Sequence, residues 1–261
     1  MMHIKHPNVA GLFYPGSAEE LRSTIEHLMR QASSSTPERP LALVAPHAGY
    51  QYSGPVAANA YATLVPWADR ISRVVVLAPS HRLGFSGIAT SSAAVFATPL
   101  GEIPVDRAAV AGLRELPGVV ELDEAFAQEH ALEVQLPFLQ TLLPAFELIP
   151  LVVGQADSED VAGVIETLVS ADTLIVVSSD LSHFLDYESC QRRDRSTSTL
   201  IEQMQADKIG PHDACGAFPL RGLLTSARHH GWHVRTLDLR NSGDTAGDKS
   251  RVVGYGAYEF Y

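Results

Sequence analysis

Short, wholly apolar runs separated by amphipathic stretches set the rhythm of this chain. LALVAP (41 to 46), the segment Arg73 to Ala78, FELIPLVV (146 to 153) and DTLIVVSSD (172 to 180) each read as a buried strand, with no alternation of polar positions. Between them lie helical patterns. Ser17 followed three residues later by Glu20 is a capping-box start, and that helix runs to about Gln31, followed by the polar loop SSSTPERP. PVAANAYATL after Gly54 is Ala-rich with helical spacing, and Pro55 suits a first turn.

Further helices are expected over Asp106 to Leu116 and over 130 to 143. The latter places Leu132, Leu136, Leu139 and Leu143 on one face despite an interruption at Pro137. Asp157 or Ser158 caps the next helix, whose first turn is acidic, and a long polar helix fills about 187 to 206. HDACGAFPLRGLLTSARHHG reads as a loop entering a helix, with Gly231 just past its end. Short β-like pieces fall between Gly87 and Ala97. HVRTLDL (233 to 239) and RVVGYGAYEF (251 to 260) suit a closing hairpin or adjacent strands. Helices alternate with strands throughout and no low-complexity linker divides residues 1 to 261, so the pattern predicts a single α/β domain with a mixed central sheet.

Composition narrows the function classes. With 46% hydrophobic and 19% charged residues the chain is ordinary for a soluble globular protein. A formal charge of −11 argues against a nucleic-acid partner, and the basic run Arg192-Arg193, with Arg195 close by, reads as a solvated helix face. Residues 41 to 68 contain no Asp, Glu, Lys or Arg. They do hold His47, Gln51, Asn59, three prolines and two glycines, which argues against a membrane span. MMHIKHPN lacks the apolar core of a signal peptide. Two cysteines, Cys190 and Cys215, make no disulfide framework, and a reducing cytoplasm is expected.

The chemistry concentrates where strands end. LALVAP runs into His47, VVVLAP into Ser80-His81, and LIVVSSD into Leu181-Ser182-His183. In α/β sheets, ligands sit outside the carboxyl ends of the strands. If these strands are parallel, His47, His81, Asp180 and His183 share one sheet edge. Imidazole is a common ligand for Zn, Cu and Fe and also a general acid or base near neutral pH.

Cys215, just before a helix whose N-terminus favours a thiolate, is the strongest further ligand, set against the plain alternative of a buried inert thiol. Asp180 is either an oxygen ligand or an acceptor that orients an imidazole. Cys190 has a weaker case. Glu129 and Glu133 lie one helical turn apart around His130, but this is not the H-E-x-x-H arrangement of zinc proteases. Glu129 and His130 read either as supports or substrate contacts at the site or as a plain helix start. His229, His230 and His233 flank a helix C-terminus, where they complement the dipole.

With VAGLFYPGSAEEL, PHAGYQYSGPVAANAY, PSHR, EHALEVQLPFL, SSDLSHF, DACG and NSGDTAGDKSRVVGYGAYEF in order, the chain resembles the Memo family, whose bacterial members are called AmmeMemoRadiSam system protein B. The resemblance covers nearly the whole chain. It implies an α/β sandwich similar to class III extradiol ring-cleavage dioxygenases. It further implies metal ligation by His47, His81 and Cys215, an acid/base role for His183 with Asp180 beside it, and a pocket-wall position for His130.

The dioxygenases place two histidines and a carboxylate around Fe(II); a thiolate in place of the carboxylate would admit Cu(I) or Zn as well. Three functions are therefore expected in turn. One is a mononuclear non-heme iron redox enzyme. Another is a non-catalytic copper- or iron-binding signalling protein that takes a small molecule or peptide in its pocket. The last is a zinc-dependent hydrolase.

Overall fold

The computed structural model describes residues 3–33 and 37–261. Residues 1–2 of MMHIKHPN and the centre of the loop SSSTPERP, 34–36, lie outside the described residues.

The chain opens with β1 (Ile4–Lys5) and α1 (Ala18–Gln31), where Ser17 Oγ accepts the Glu20 N–H at 3.2 Å, as the capping pattern requires. β2 (Ala42–Ala45) leads into α2 (Tyr50–Ala62), and β3 (Arg73–Pro79) follows. Here the structure corrects the sequence reading. α2 begins at Tyr50, not after Gly54, so Pro55 lies within the helix rather than in its first turn. A proline at that depth removes one intrahelical hydrogen bond. The helix start is anchored instead by the Tyr50 N–H, which donates to Phe13 O at 2.7 Å.

Three short strands come next: β4 (Ile88–Thr90), β5 (Val95–Thr98) and β6 (Gly101–Pro104). They are followed by α3 (Arg107–Leu113), β7 (Val119–Glu121), α4 (Glu124–Ala127) and α5 (Leu136–Leu142). The helix expected over 130 to 143 is therefore broken. Residues Glu133–Gln135 form a 3-10 turn, and Pro137 stands at the start of α5, where its missing N–H costs nothing. Leu132, Leu136, Leu139 and Leu143 are nonetheless all buried.

β8 (Glu147–Val153), α6 (Ser158–Leu168) and β9 (Thr173–Ser178) complete the central layer. The chain then forms β10 (His183–Leu185), α7 (Tyr187–Glu202), α8 (Ala217–His230), β11 (Val234–Asn241), α9 (Ser242–Thr245) and β12 (Val252–Phe260). α7 ends four residues before the expected 206. Gly231 closes α8 in the left-handed conformation, with φ of 67°.

The main sheet runs β10-β12-β2-β9-β3-β8-β4-β7, with β11 pairing β12 in antiparallel fashion as the closing hairpin. Its four central strands, β2, β9, β3 and β8, are mutually parallel. β12 and β4 flank them antiparallel, which makes the sheet mixed. Parallel strands are covered on both faces, and β9 is buried along its whole length, which is why these runs show no polar alternation. A small second sheet, β1-β5-β6, lies to one side. The consequence for function is positional. β2, β9 and β3 are adjacent and parallel, so their carboxyl ends meet at one edge.

Candidate metal centre

Each of the three adjacent strands delivers a functional residue two positions past its last residue: His47 after Ala45, His81 after Pro79 and Asp180 after Ser178. The rings of His47 and His81 are 5.1 Å apart, centroid to centroid. His130, from the segment between α4 and α5, closes the group at 5.4 Å from His47 and 4.9 Å from His81. One ligand atom from each of these three imidazoles lies within 4.8 Å of the others. His130, expected at the pocket wall, is therefore part of the cluster itself.

The tautomers follow from the hydrogen bonds. Ser178 Oγ donates to Ala131 O at 2.7 Å and accepts from Gln135 Nε2 at 2.8 Å, so the ring nitrogen His47 Nδ1, 2.9 Å away, must donate to it. Gln135 is in turn fixed by Tyr61 OH, which donates to Gln135 Oε1 at 2.7 Å. His47 Nε2 is left with its lone pair facing the site.

Glu129 does the same for His81. Its Oε1 accepts His81 Nδ1–H at 2.9 Å, while Oε2 accepts the His81 backbone N–H at 2.6 Å. The backbone N–H groups of His130 and Ala131 also donate to Glu129 Oε1, each at 2.9 Å. A partner that holds one ring nitrogen and frees the other is the usual support of a metal-binding imidazole. Glu133, one turn on, serves another purpose. It binds the N–H groups of Asn8 and Val9 and the hydroxyl of Tyr14, and so fastens the N-terminal segment. That segment carries Phe13, whose ring meets His130 edge-on at 4.9 Å.

Electrostatics disfavour the charged forms of His47 and His130. Burial, and then the neighbouring His81, hold His47 well below its usual range. Burial, with His47 beside it, brings His130 down to about 4. Burial alone would raise the Glu129 carboxyl, but the His81 ring and the surrounding backbone N–H groups outweigh it and bring it to about 2. A carboxylate that orients one ring, beside two others whose protonation is disfavoured, is a donor set prepared for a cation.

Cys215 and Asp180 stand against the other side of His47. Cys215 Sγ lies 3.2 Å from His47 Nε2. A metal shared by an imidazole and a thiolate holds the two atoms about 3.5 Å apart, so the pair fits one. The Asp180 N–H donates to Cys215 Sγ at 3.2 Å, and the His47 N–H donates to Asp180 Oδ1 at 2.7 Å. Asp180 thus ties the two loops together. Gly216 permits this approach, because a Cβ there would lie 2.7 Å from Ser179 Cβ. At Cys215 the effect expected of the helix N-terminus is opposed by its surroundings. Burial, reinforced by Asp180, pushes the Cys215 thiol up. A bound cation is what would favour the anion there.

His183 donates from Nδ1 to Leu181 O at 2.9 Å, leaving Nε2 free, and the ring stands close enough to His47 and Asp180 to act on both electrostatically. The register between β10 and β12 slips between His183 and Leu185, and Phe184 sits there with φ of 62°. A non-glycine residue in that region costs of order 1–3 kcal/mol, and bulges of this kind re-aim side chains beside functional sites. Beside Cys215 a cleft of about 560 Å³ is walled by Pro79, Leu83, Phe85 and Phe218 with Ser80 and Gln155.

The remaining expectations divide plainly. Both cysteines are free, and Cys190 is buried in α7 rather than on a polar face. His229 bonds Glu166 and His230 bonds Ser226 O at the end of α8, as structural residues. Arg192, Arg193 and Arg195 are engaged with Glu188, Asp213 and Gln191. Ser178 and Gln135 escaped sequence reasoning. The only available signal was a serine ending an otherwise apolar strand.

An α/β protein with a mixed sheet, parallel at its centre and carrying a three-imidazole cluster at its carboxyl edge, is the class that fold and site define. Comparison with known proteins narrows it. The Memo-like protein family model matches residues 5–259. A MEMO1 family protein of Methanosarcina mazei is 36% identical, with 98% of each chain covered, and one of Methanopyrus kandleri is 34% identical, again with 98% of each covered. The chain belongs to the Memo family. An uncharacterised protein of Escherichia coli K12 shares the fold, with a TM-score of 0.53 at 15% identity over 84% of this chain and 99% of that one. Among the described residues no helix is long and apolar enough to cross a membrane.

Proposed function

We propose that this protein is a mononuclear, metal-dependent redox protein of dioxygenase-like type that uses Fe(II). The observation that carries the reading is the convergence of His47, His81 and His130, with ligand atoms within 4.8 Å of one another. His47 and His81 would anchor the metal and Cys215 would be the third ligand, with His130 facing them. Bound there, the metal would supply Lewis acidity and a redox couple. The chain's own groups do the rest. His183 Nε2 accepts or returns a proton, Asp180 holds the His47 and Cys215 loops in register, and His130 completes the imidazole cluster. The ligand, a small molecule or peptide, enters the cleft beside Cys215. Two free thiols suit a reducing cytoplasm.

One observation favours a second reading. The soft Cys215 sulfur at 3.2 Å from His47 Nε2 suits Cu(I), which would make this a copper-binding protein without turnover. Anaerobic loading with Fe(II) and with Cu(I), followed by spectroscopy and oxygen-uptake assays on wild type, His81→Ala and Cys215→Ser, separates the two. Iron bound by wild type and lost in His81→Ala, with oxygen consumed, supports the first. Equal iron binding by both proteins removes His81 as a ligand. Tight Cu(I) with no oxygen uptake selects the second.

A further inference from the structure

Behind the His183 loop lies a buried polar cluster that the metal centre does not use. Asp194, in α7, is 3% exposed and has no ion pair among the described residues. Arg195 bonds Gln191, and Arg240 pairs with Asp238. A carboxylate buried without a cation needs hydrogen bonds to justify its desolvation. Asp194 has two. The Ser182 N–H donates to Asp194 Oδ1 at 3.1 Å, and the Cys190 thiol donates to Oδ2 at 3.0 Å. Ser182 Oγ donates in turn to Cys190 Sγ at 3.4 Å.

The backbone around this cluster is clamped from the other side by β12. The Leu181 N–H donates to Gly254 O and the Gly254 N–H to Ser182 O, both at 2.8 Å. A Cβ on Gly254 would lie 1.8 Å from Asp194 Oδ2, so the carboxylate occupies the space that any side chain there would need.

One planar peptide unit joins Leu181 to Ser182. Its N–H end is held by Asp194 Oδ1, and its C=O end accepts His183 Nδ1 at 2.9 Å. The two ends of a trans peptide point in opposite directions, so fixing the N–H fixes the carbonyl that the ring meets. A carboxyl oxygen on the N–H also polarises the carbonyl into a better acceptor. We propose that Asp194 is the positioning residue of His183: through the Leu181–Ser182 peptide it holds the imidazole as the Nδ1–H tautomer, with the Nε2 lone pair turned to the site. This rests on the proton-transfer role of His183 proposed above.

The ¹⁵N shifts of the neutral His183 ring, assigned with His183→Gln and recorded at about pH 8, where an ordinary imidazole is neutral, report the tautomer. Wild type is expected to show Nδ1–H. In Asp194→Ala the single-tautomer signature is lost and the two ring shifts move toward each other, while iron binding at His47 and His81 is retained. Asp194→Asn, whose amide oxygen still accepts the Ser182 N–H, restores the signature. Should Asp194→Ala fail to fold, Cys190→Ala, which frees Oδ2 alone, is expected to broaden the same ring signals.

A His183 ring unchanged from wild type in Asp194→Ala, or in Cys190→Ala should Asp194→Ala fail to fold, would overturn the proposal. So would a signature lost equally in Asp194→Asn and Asp194→Ala. Wild-type oxygen uptake by iron-loaded His183→Gln would instead remove the proton-transfer role and leave the ring-geometry result standing.

Discussion

Glu129 grips His81 twice, taking the backbone N–H on Oε2 at 2.6 Å and the ring Nδ1–H on Oε1 at 2.9 Å. Backbone and ring are thus fixed by one carboxylate that is 4% exposed. Glu129→Gln keeps the shape but replaces one acceptor oxygen with a donor. We expect metal affinity to fall about 10- to 100-fold, as for other groups that orient a ligand imidazole. Competition with a chelator of known affinity measures it.

The same carboxylate makes metal-free stability depend on acid. Its folded pKa of about 2 is depressed below the ordinary 4.5, so the unfolded chain binds the proton more readily. The stabilisation is therefore complete above about pH 4.5 and is lost as pH falls toward 2, amounting to about 3 kcal/mol at most. Urea unfolding of chelator-treated protein across that window should show a smaller loss in Glu129→Gln than in wild type.

Ser178→Ala should injure His47 without touching it. The change strands the His47 Nδ1–H and takes one acceptor from the Gln135 amide, which keeps Pro46 O at 3.0 Å. A stability loss of about 1–3 kcal/mol is expected, with weaker metal binding. Thermal unfolding and metal titration together check it. Weakened metal binding at full stability would show that the serine orients the ring without supporting the fold.

Gly216→Ala tests how closely the Cys215 loop must approach β9. The added Cβ would lie 2.7 Å from Ser179 Cβ and 2.9 Å from Ser178 O. Backbone cannot yield as a flexible side chain does, so about 1–3 kcal/mol of destabilisation is expected. Displacement of Cys215 should appear as faster reaction with a thiol reagent, because its contacts with His47 and Asp180 loosen.

The strands were legible because β2, β3, β8 and β9 are buried on both faces and so read as unbroken apolar runs. The Ser17 cap was legible because a capping side chain acts within its own turn, whereas Asp106, read as the first residue of its helix, proves to be the cap of α3. α2 was misplaced because its start rests on the carbonyl of Phe13, far away in sequence, and not on a capping side chain of its own. The segment 130 to 143 kept its apolar face but not its single helix. Glu129 bends the chain there by taking the N–H groups of His130 and Ala131.

By itself, the sequence determined the alternation of helix and strand, the fold class, and the placement of His47, His81, Asp180 and His183 at strand ends. These follow from hydrophobic period and local chain chemistry, which act over a few residues. Only the tertiary structure decided that β2, β9 and β3 are neighbours, which sets His47 beside His81. It also drew His130 into the cluster and put Glu129, Ser178 and Asp194 behind their respective histidines. Such pairings depend on which buried polar group finds which partner across the fold. A lone pair turned toward the site is the result of that accounting, and no local pattern in the sequence records it.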